Sequence, residues 1–399
     1  MFVELHMIQS FAPSNLNRDD TNNPKDCEFG GVRRARISSQ CIKRAIRGTP
    51  VFRQVTSAEL GIRTRRLVSQ IRKPLLAAGK TEADVNVVAT VFAEAYAGSM
   101  DSEKPEQTKV LLFLSESEIE YIGTQLLAKW DVLLPAARGF YQSEAPKQDA
   151  ERKKGKKEAR KIPEFKDVLD KDFVRRFEKH TGAPDIAMFG RMLAERPETN
   201  INAACQVAHA ISTHRVTMEM DFFTAVDDLQ QEAEPGAGMM GFTGYNSACF
   251  YRYARIDWRQ LVKNLDGDAP LARRTVEGFL RAANEAIPTG KQNSFAAQNP
   301  PSFTLAVVRT NAMSGSLANA FETPVRPARD GGLVAPSVAA LDAYWGRLVA
   351  VYGTDAIARV AALALDPGIA LTNLQDALLP DFETWLEAVV SALPQEAVV

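Results

Sequence analysis

The chain has 399 residues, 45% of them hydrophobic and 24% charged, with a formal net charge of −1. That is ordinary globular composition with enough apolar content for a sizeable core, and the length predicts two or three structural units. It excludes a uniformly basic nucleic-acid tail, though not a nucleic-acid binder, since only the contact face of such a protein must be positive. Cys27, Cys41, Cys205 and Cys249 form no C-x-x-C pair, so neither a metal site nor a cofactor is expected, and scattered thiols fit a reducing compartment. The N-terminus lacks the basic-then-apolar pattern of a secretory signal, and no apolar run reaches membrane-spanning length. The expected location is the cytoplasm, with no membrane partner.

In chain order, Phe2 to Ile8 alternates as a strand, with Val3, Leu5 and Met7 on one face and Glu4 and His6 on the other. An Asn- and Asp-rich loop, 14–24, follows. Phe29 to Ile37 is extended and basic. Ser38 or Ser39 then caps a helix to about Arg47, with Ile42 and Ile46 turned inward. Residues 58–177 carry apolar spacings of three and four and are predicted mostly helical. Within them, Lys147 to Lys161 holds eight basic and three acidic residues without large apolar ones, and reads as a loop or solvated helix.

Ile201 to Ser212 is predicted as a helix. Val216 to Leu229 and Met239 to Ile256 are predicted as the arms of a long hairpin, with Pro235–Gly238 at its turn. Arg273 to Ala286 reads as an amphipathic helix and Thr304 to Val308 as a strand. The chain from Pro336 reads as helix, anchored by Trp345 and Trp385. This order predicts an α+β fold with a large helical insertion, for which a ferredoxin-like core is an economical solution.

The stretch Phe29–Arg47 concentrates the chemistry. It holds six cations, Arg33, Arg34, Arg36, Lys43, Arg44 and Arg47, and no acid. Gly30 and Gly31 would let backbone approach a ligand closely. Ser38, Ser39 and Gln40 stand at a helix start, where free N–H groups favour phosphate. Guanidinium forks match phosphate geometry. The combination suits a polyanionic backbone; the alternative is a solvated basic face. Asp19 and Asp20 could hold magnesium, and His209 and His214 could do acid–base work, but neither pair has a second convergent group.

Several segments in order resemble the CasC-type backbone subunit of the type I-E CRISPR Cascade complex. They are Leu16-Asn17-Arg18-Asp19-Asp20, Phe29-Gly30-Gly31, Arg33-Arg34, Arg36-Ile37-Ser38-Ser39-Gln40 and Lys43-Arg44. Further on come Gly190-Arg191-Met192, Ala208-His209-Ala210-Ile211, Thr213-His214 and the run from Phe223 to Leu229. Phe250 to Ala254 and Leu317 to Glu322 complete the series, while residues 50–185 resemble the family poorly.

The resemblance implies a hand-shaped, non-enzymatic subunit. Its palm, 1–57 with 186–215 and 257–335, would be a modified RRM or ferredoxin-like fold. The helical insertion 58–185 would be the fingers and 216–256 a β-hairpin thumb, with a helical segment 336–399 packed on the palm. Copies would stack head to tail along CRISPR RNA beside other Cascade subunits, presenting the guide to target DNA. Carried over by position, Arg18, Lys25, Ser38, Gln40, Lys43, Arg44 and Arg47 would hold the guide backbone, with Arg33 and Arg34 in the same basic segment. Arg191 and Met192 would lie next to a displaced base, and Phe223 and Thr224 would cover the kink. Phe222 would point the other way, into the core. A guide of variable sequence is best held by its constant phosphates. The alternative within that superfamily is RNA cleavage by Asp19/Asp20 or His209/His214.

Overall fold

A computed structural model describes residues 1–144, 181–194, 196–225, 239–313 and 315–396, with Phe165 and Phe177. The lysine-rich stretch 147–161 and the predicted turn at Pro235–Gly238 lie outside the described residues.

The strands in chain order are β1 (Phe2–Ser14), β2 (Asp26–Phe29), β3 (Val32–Ile37), β4 (Ile62–Thr64), β5 (Leu112–Leu114), β6 (Cys205–Val207), β7 (Ala210–Ser212), β8 (Glu219–Ala225), β9 (Met239–Asp257), β10 (Phe303–Arg309) and β11 (Ile357–Ala364). The helices used below are α1 (Ser39–Gly48), α2 (Pro50–Thr56), α3 (Leu67–Ala77), α4 (Glu82–Ala97), α5 (Glu116–Ala128), α6 (Trp130–Glu144), α7 (Ala269–Glu285), α8 (Val334–Tyr352) and α9 (Phe382–Ser391).

The chain divides into two compact units. One comprises Met1–Thr56, Cys205–Arg259 and Ala272–Val399; the other comprises Ser57–Ala204 and Gln260–Leu271.

The first unit is built on one sheet of order β11-β10-β1-β9-β7-β3-β2, with β6 and β8 also paired to β9. Every pairing in it is antiparallel. β1 is central, so both its faces are covered. On one, Leu5 and Met7 meet Ile42 and Ile46 of α1 and Phe279 and Ala283 of α7. On the other, Ile8, Tyr251, Phe303 and Leu305 form a core with Val338, Leu341 and Trp345 of α8. Trp345 and Trp385 are both buried, as expected of anchors.

Burial of the second face has a consequence for its polar residues. Glu4 and His6 alternate away from Val3 and Leu5 as predicted, yet both are fully buried. A carboxylate there needs a charge partner and donors. Glu4 accepts from Arg309 Nε at 2.7 Å, Tyr253 OH at 3.0 Å and Gly315 N at 2.8 Å. His6 contacts Tyr251 OH through Nδ1 at 2.8 Å, and burial pushes its pKa down to about 4.

Two secondary-structure expectations are corrected. Ile201–Ser212, read as a helix, instead contributes β6 and β7, which pair with β9. The apolar spacing Val207, Ala208, Ile211 mimics a helix face, but β9 offers an unpaired edge, and β-branched residues fit a pleated surface. The region after Pro336 is not purely helical, because β11 adds a strand alongside β10.

In the second unit α3–α6 pack around Ile71, Val88, Phe92, Tyr96, Ile122 and Leu126, the three- and four-residue spacings visible in the sequence. Ser115 caps α5 in a reciprocal box with Glu118. No helix among the described residues is long and apolar enough to cross a membrane.

A basic helix start beside a cleft

β2 and β3 form a tight hairpin whose two turn residues, Gly30 and Gly31, have φ of +61° and +71°. Paired positive φ values are the signature of a two-residue turn that matches strand twist. Gly30 does approach another group closely, but that group is the protein itself: a Cβ there would stand 1.8 Å from the Glu322 carbonyl oxygen.

β3 delivers the chain to α1. The Asn17 side chain accepts from Ser38 N at 2.8 Å, and the Ser38 hydroxyl accepts from Cys41 N at 3.3 Å, which satisfies one free donor of the first turn. Ile42 and Ile46 bury the inner face. The outer face carries Gln40 and Arg44, both exposed, with Lys43 and Arg47 half-buried on its flanks.

The loop after β1 brings further cations. Arg18 is exposed and donates to the Asn22 side chain at 2.8 Å. Lys25 and Arg44 both act electrostatically on the Cys41 thiol, and Lys25 and Arg36 both depress the pKa of His209 after its desolvation. Arg18, Lys25, Arg36 and Arg44 therefore share one neighbourhood at the start of α1. A cleft of about 890 Å³ runs along α1 from Cys41 to Gly48, lined also by Asn17, Arg18, Arg44 and Gln298, with Asp19, Asp20 and Glu285 on its wall.

The carboxylate of Asp19 is exposed and bonded within its own loop. It accepts from Thr21 N at 2.9 Å, Thr21 Oγ1 at 2.8 Å and Asn23 N at 2.9 Å, and these bonds hold its pKa below the usual value. His209 Nδ1 meets Arg36 Nη1 at 2.9 Å. His214 Nε2 accepts a hydrogen bond from Cys249 N at 3.1 Å, so its Nδ1 carries the hydrogen donated to the Arg215 carbonyl at 2.7 Å. The two histidines thus answer to different partners. No cluster of three or more His, Cys, Asp or Glu suited to a metal occurs among the described residues.

Several expected contact residues are placed otherwise. Arg34 is fully buried and spends its guanidinium on four carbonyls, those of Phe29 (3.1 Å), Ser212 (3.1 Å), Phe321 (2.7 Å) and Glu322 (3.2 Å). Burial lowers its pKa. It cannot reach a ligand: it is the clamp that docks the turn Ala318–Phe321 onto the β2–β3 hairpin. Two of the family-like segments therefore exist to hold each other.

Arg191, in the second unit, is also buried. It donates to Thr199 O at 2.8 Å and to both Glu118 carboxylate oxygens at 2.7 Å. Its neighbour Met192 is 86% exposed. Arg33 stays largely in solvent, with a loose ion pair to Asp26 at 3.3 Å.

The hairpin β8–β9 forms as predicted, but neither of its adjacent phenylalanines is core. Phe222 is 53% and Phe223 37% exposed. Phe222 lies 5.2 Å from Phe242 on one face, while Phe223 covers Gly241 on the other. Thr224 is exposed. A two-stranded ribbon has no second layer, so alternation alone puts nothing inside it.

The family described as CT1975-like protein matches residues 3–386. Two solved chains match this one over 98% of its length and 100% of their own. One, titled "CRISPR RNA-guided surveillance complex, pre-nicking", has a TM-score of 0.76 at 32% identity. The other, titled "CRISPR RNA-guided surveillance complex", has a TM-score of 0.71 at 25% identity. No curated protein matches. With the match running through the helical unit and nearly all of the sheet unit, the chain belongs to the CT1975-like protein family.

Proposed function

We propose that this chain is a non-catalytic backbone subunit of a type I-E Cascade complex, holding CRISPR RNA by its sugar–phosphate chain. Copies would lie head to tail along the guide, beside other Cascade subunits, and present the spacer to target DNA. The observation that carries the reading is the end-to-end similarity to chains of CRISPR RNA-guided surveillance complexes. The basic start of α1 supplies the means. Arg18 and Arg44 line a cleft beside the capped helix α1, with Lys25 close to Cys41 in its first turn, Lys43 in its middle and Arg47 in its last turn, an array that suits phosphates rather than base edges.

The sheet supports a palm of RRM type. Its strands β10-β1-β9-β7, with α1 following β1 and α7 between β9 and β10, have the split βαβ order. In this reading 216–256 is the thumb and 58–185 the fingers; Met192 is exposed in the helical unit, and Phe223 and Thr224 are exposed on the hairpin of the sheet unit. There is no catalytic step. Asp19 is committed to its own turn, and His209 and His214 face different partners.

The test is RNA binding by the variant Lys43→Ala/Arg44→Ala/Arg47→Ala. Counterion release from single strands gives a slope of about −0.7 per phosphate contact, so three lost contacts at physiological salt weaken binding about fifty-fold for every sequence alike. Unchanged affinity overturns the reading, and cleavage of bound RNA on adding Mg²⁺ overturns its non-catalytic part.

A further inference from the structure

A second groove lies at the root of the β8–β9 hairpin. It encloses about 400 Å³ and is lined by Asp26, Arg33, Arg215, Thr217 and Asn246 among others. Its two arginines come from different elements held together by backbone. Val216 N donates to the Arg33 carbonyl at 3.0 Å, and His214 donates to the Arg215 carbonyl at 2.7 Å. Residue 215 is thus fixed on both sides, while its side chain is exposed. Arg33 is 70% exposed, and its ion pair with Asp26 is long enough to exchange for a better acceptor.

The groove is not isolated. Asn246 also lines a small neighbouring cleft with Asn17, Lys25 and Leu16, and Leu16 and Asn17 in turn line the cleft of Arg18 and Arg44. The small cleft between them has mostly buried walls, so the groove and the α1 cleft are neighbours in the sheet unit, with Lys25 and Arg36 between them. Arg33 and Ser38 are five residues apart on extended chain, roughly 16 Å. A strand seated at the start of α1 and running this way therefore meets the two arginines a few nucleotides later.

We propose that Arg33 and Arg215 form a second phosphodiester site, which takes the RNA backbone leaving the α1 cleft, with Asp26 holding Arg33 in reserve until RNA arrives. The inference rests on the RNA-binding reading above and adds to it a direction of travel. Two guanidiniums facing one groove suit a diester, which accepts a fork from each side.

The test compares an RNA of about a dozen nucleotides with one of about four, near the two ends of known single-strand site sizes. Arg33→Ala/Arg215→Ala is expected to bind the longer RNA about fifteen-fold more weakly at physiological salt, with a salt slope shallower by about 1.4, and the shorter RNA unchanged. Asp26→Asn is expected to tighten the longer complex, an effect that disappears in an Arg33→Ala background. Arg215→Gln, a change to one exposed side chain, guards against misfolding and is expected to show half the loss in slope. Wild-type affinity and slope in the double variant overturn the site, as does loss of self-association without loss of RNA binding. If the α1 triple variant is impaired while the groove variants are not, the function stands and the groove falls. If neither set matters, both fall.

Discussion

β3 and α1 are consecutive and carry three cations each, but two of the three on β3 are taken up within the protein. On β3, Arg34 is swallowed whole, and Arg36 donates to the Asp26 carbonyl at 3.1 Å and contacts His209. On α1, Gln40 and Arg44 face outward over a cleft. The difference is geometric. A strand inside a sheet alternates between two covered faces, so a cation on it must be paired within the protein or leave by the edge. An amphipathic helix has one dry face, already filled here by Ile42 and Ile46. Charge density along the sequence cannot tell these apart; the layer on which each residue lands can.

The contrast is tested most severely at Arg34. Arg34→Ala leaves four carbonyls, two of them buried, without their donor and is expected to cost about 4 kcal/mol, read as a lower urea midpoint at unchanged slope. The α1 triple variant is its mirror image, losing RNA affinity while losing less than about 1 kcal/mol of stability. If Arg34→Ala folds as well as wild type but loses RNA, the division between strand and helix is wrong.

His6 sharpens the same contrast by pH, because the sheet interior holds it neutral. Its folded pKa, about 4, lies below the ordinary histidine value of 6.5, so between those values the unfolded chain binds the extra proton. Stability is complete above pH 6.5 and falls as pH drops toward 4, by on the order of 3 kcal/mol. His6→Asn is expected to flatten that part of the stability–pH curve. An equally steep curve in the variant would assign the acid sensitivity to other groups.

The smallest effect belongs to the hinge between the two elements. Ser38→Ala removes the cap on Cys41 N and is expected to cost about 1 kcal/mol. Ser38→Asp should restore stability, since aspartate also caps, yet weaken RNA binding by placing a negative charge at the phosphate site. Equal RNA affinity in serine and aspartate forms would move the RNA away from the helix start.

Much of this was legible in the linear chain, and for local reasons. The Ser38 cap, the Ile42/Ile46 stripe, the two arms of β8–β9 and the helical spacings of α4 and α5 depend on residues within a turn or two of one another. What the sequence could not decide is where each element is buried. The helix predicted over Ile201–Ser212 became two strands because β9, some 45 residues later in the chain, offers them an edge. Arg34 and Arg191 look like ligand residues in sequence, and their partners, Phe321 and Glu118, lie far along the chain. Phe222 and Phe223 are both exposed because the ribbon that carries them has no covering layer. The sequence by itself determined the presence of a basic, helix-capped site. Only the tertiary structure decided which cations belong to it, because burial and long-range hydrogen bonding depend on packing between distant segments rather than on any local pattern.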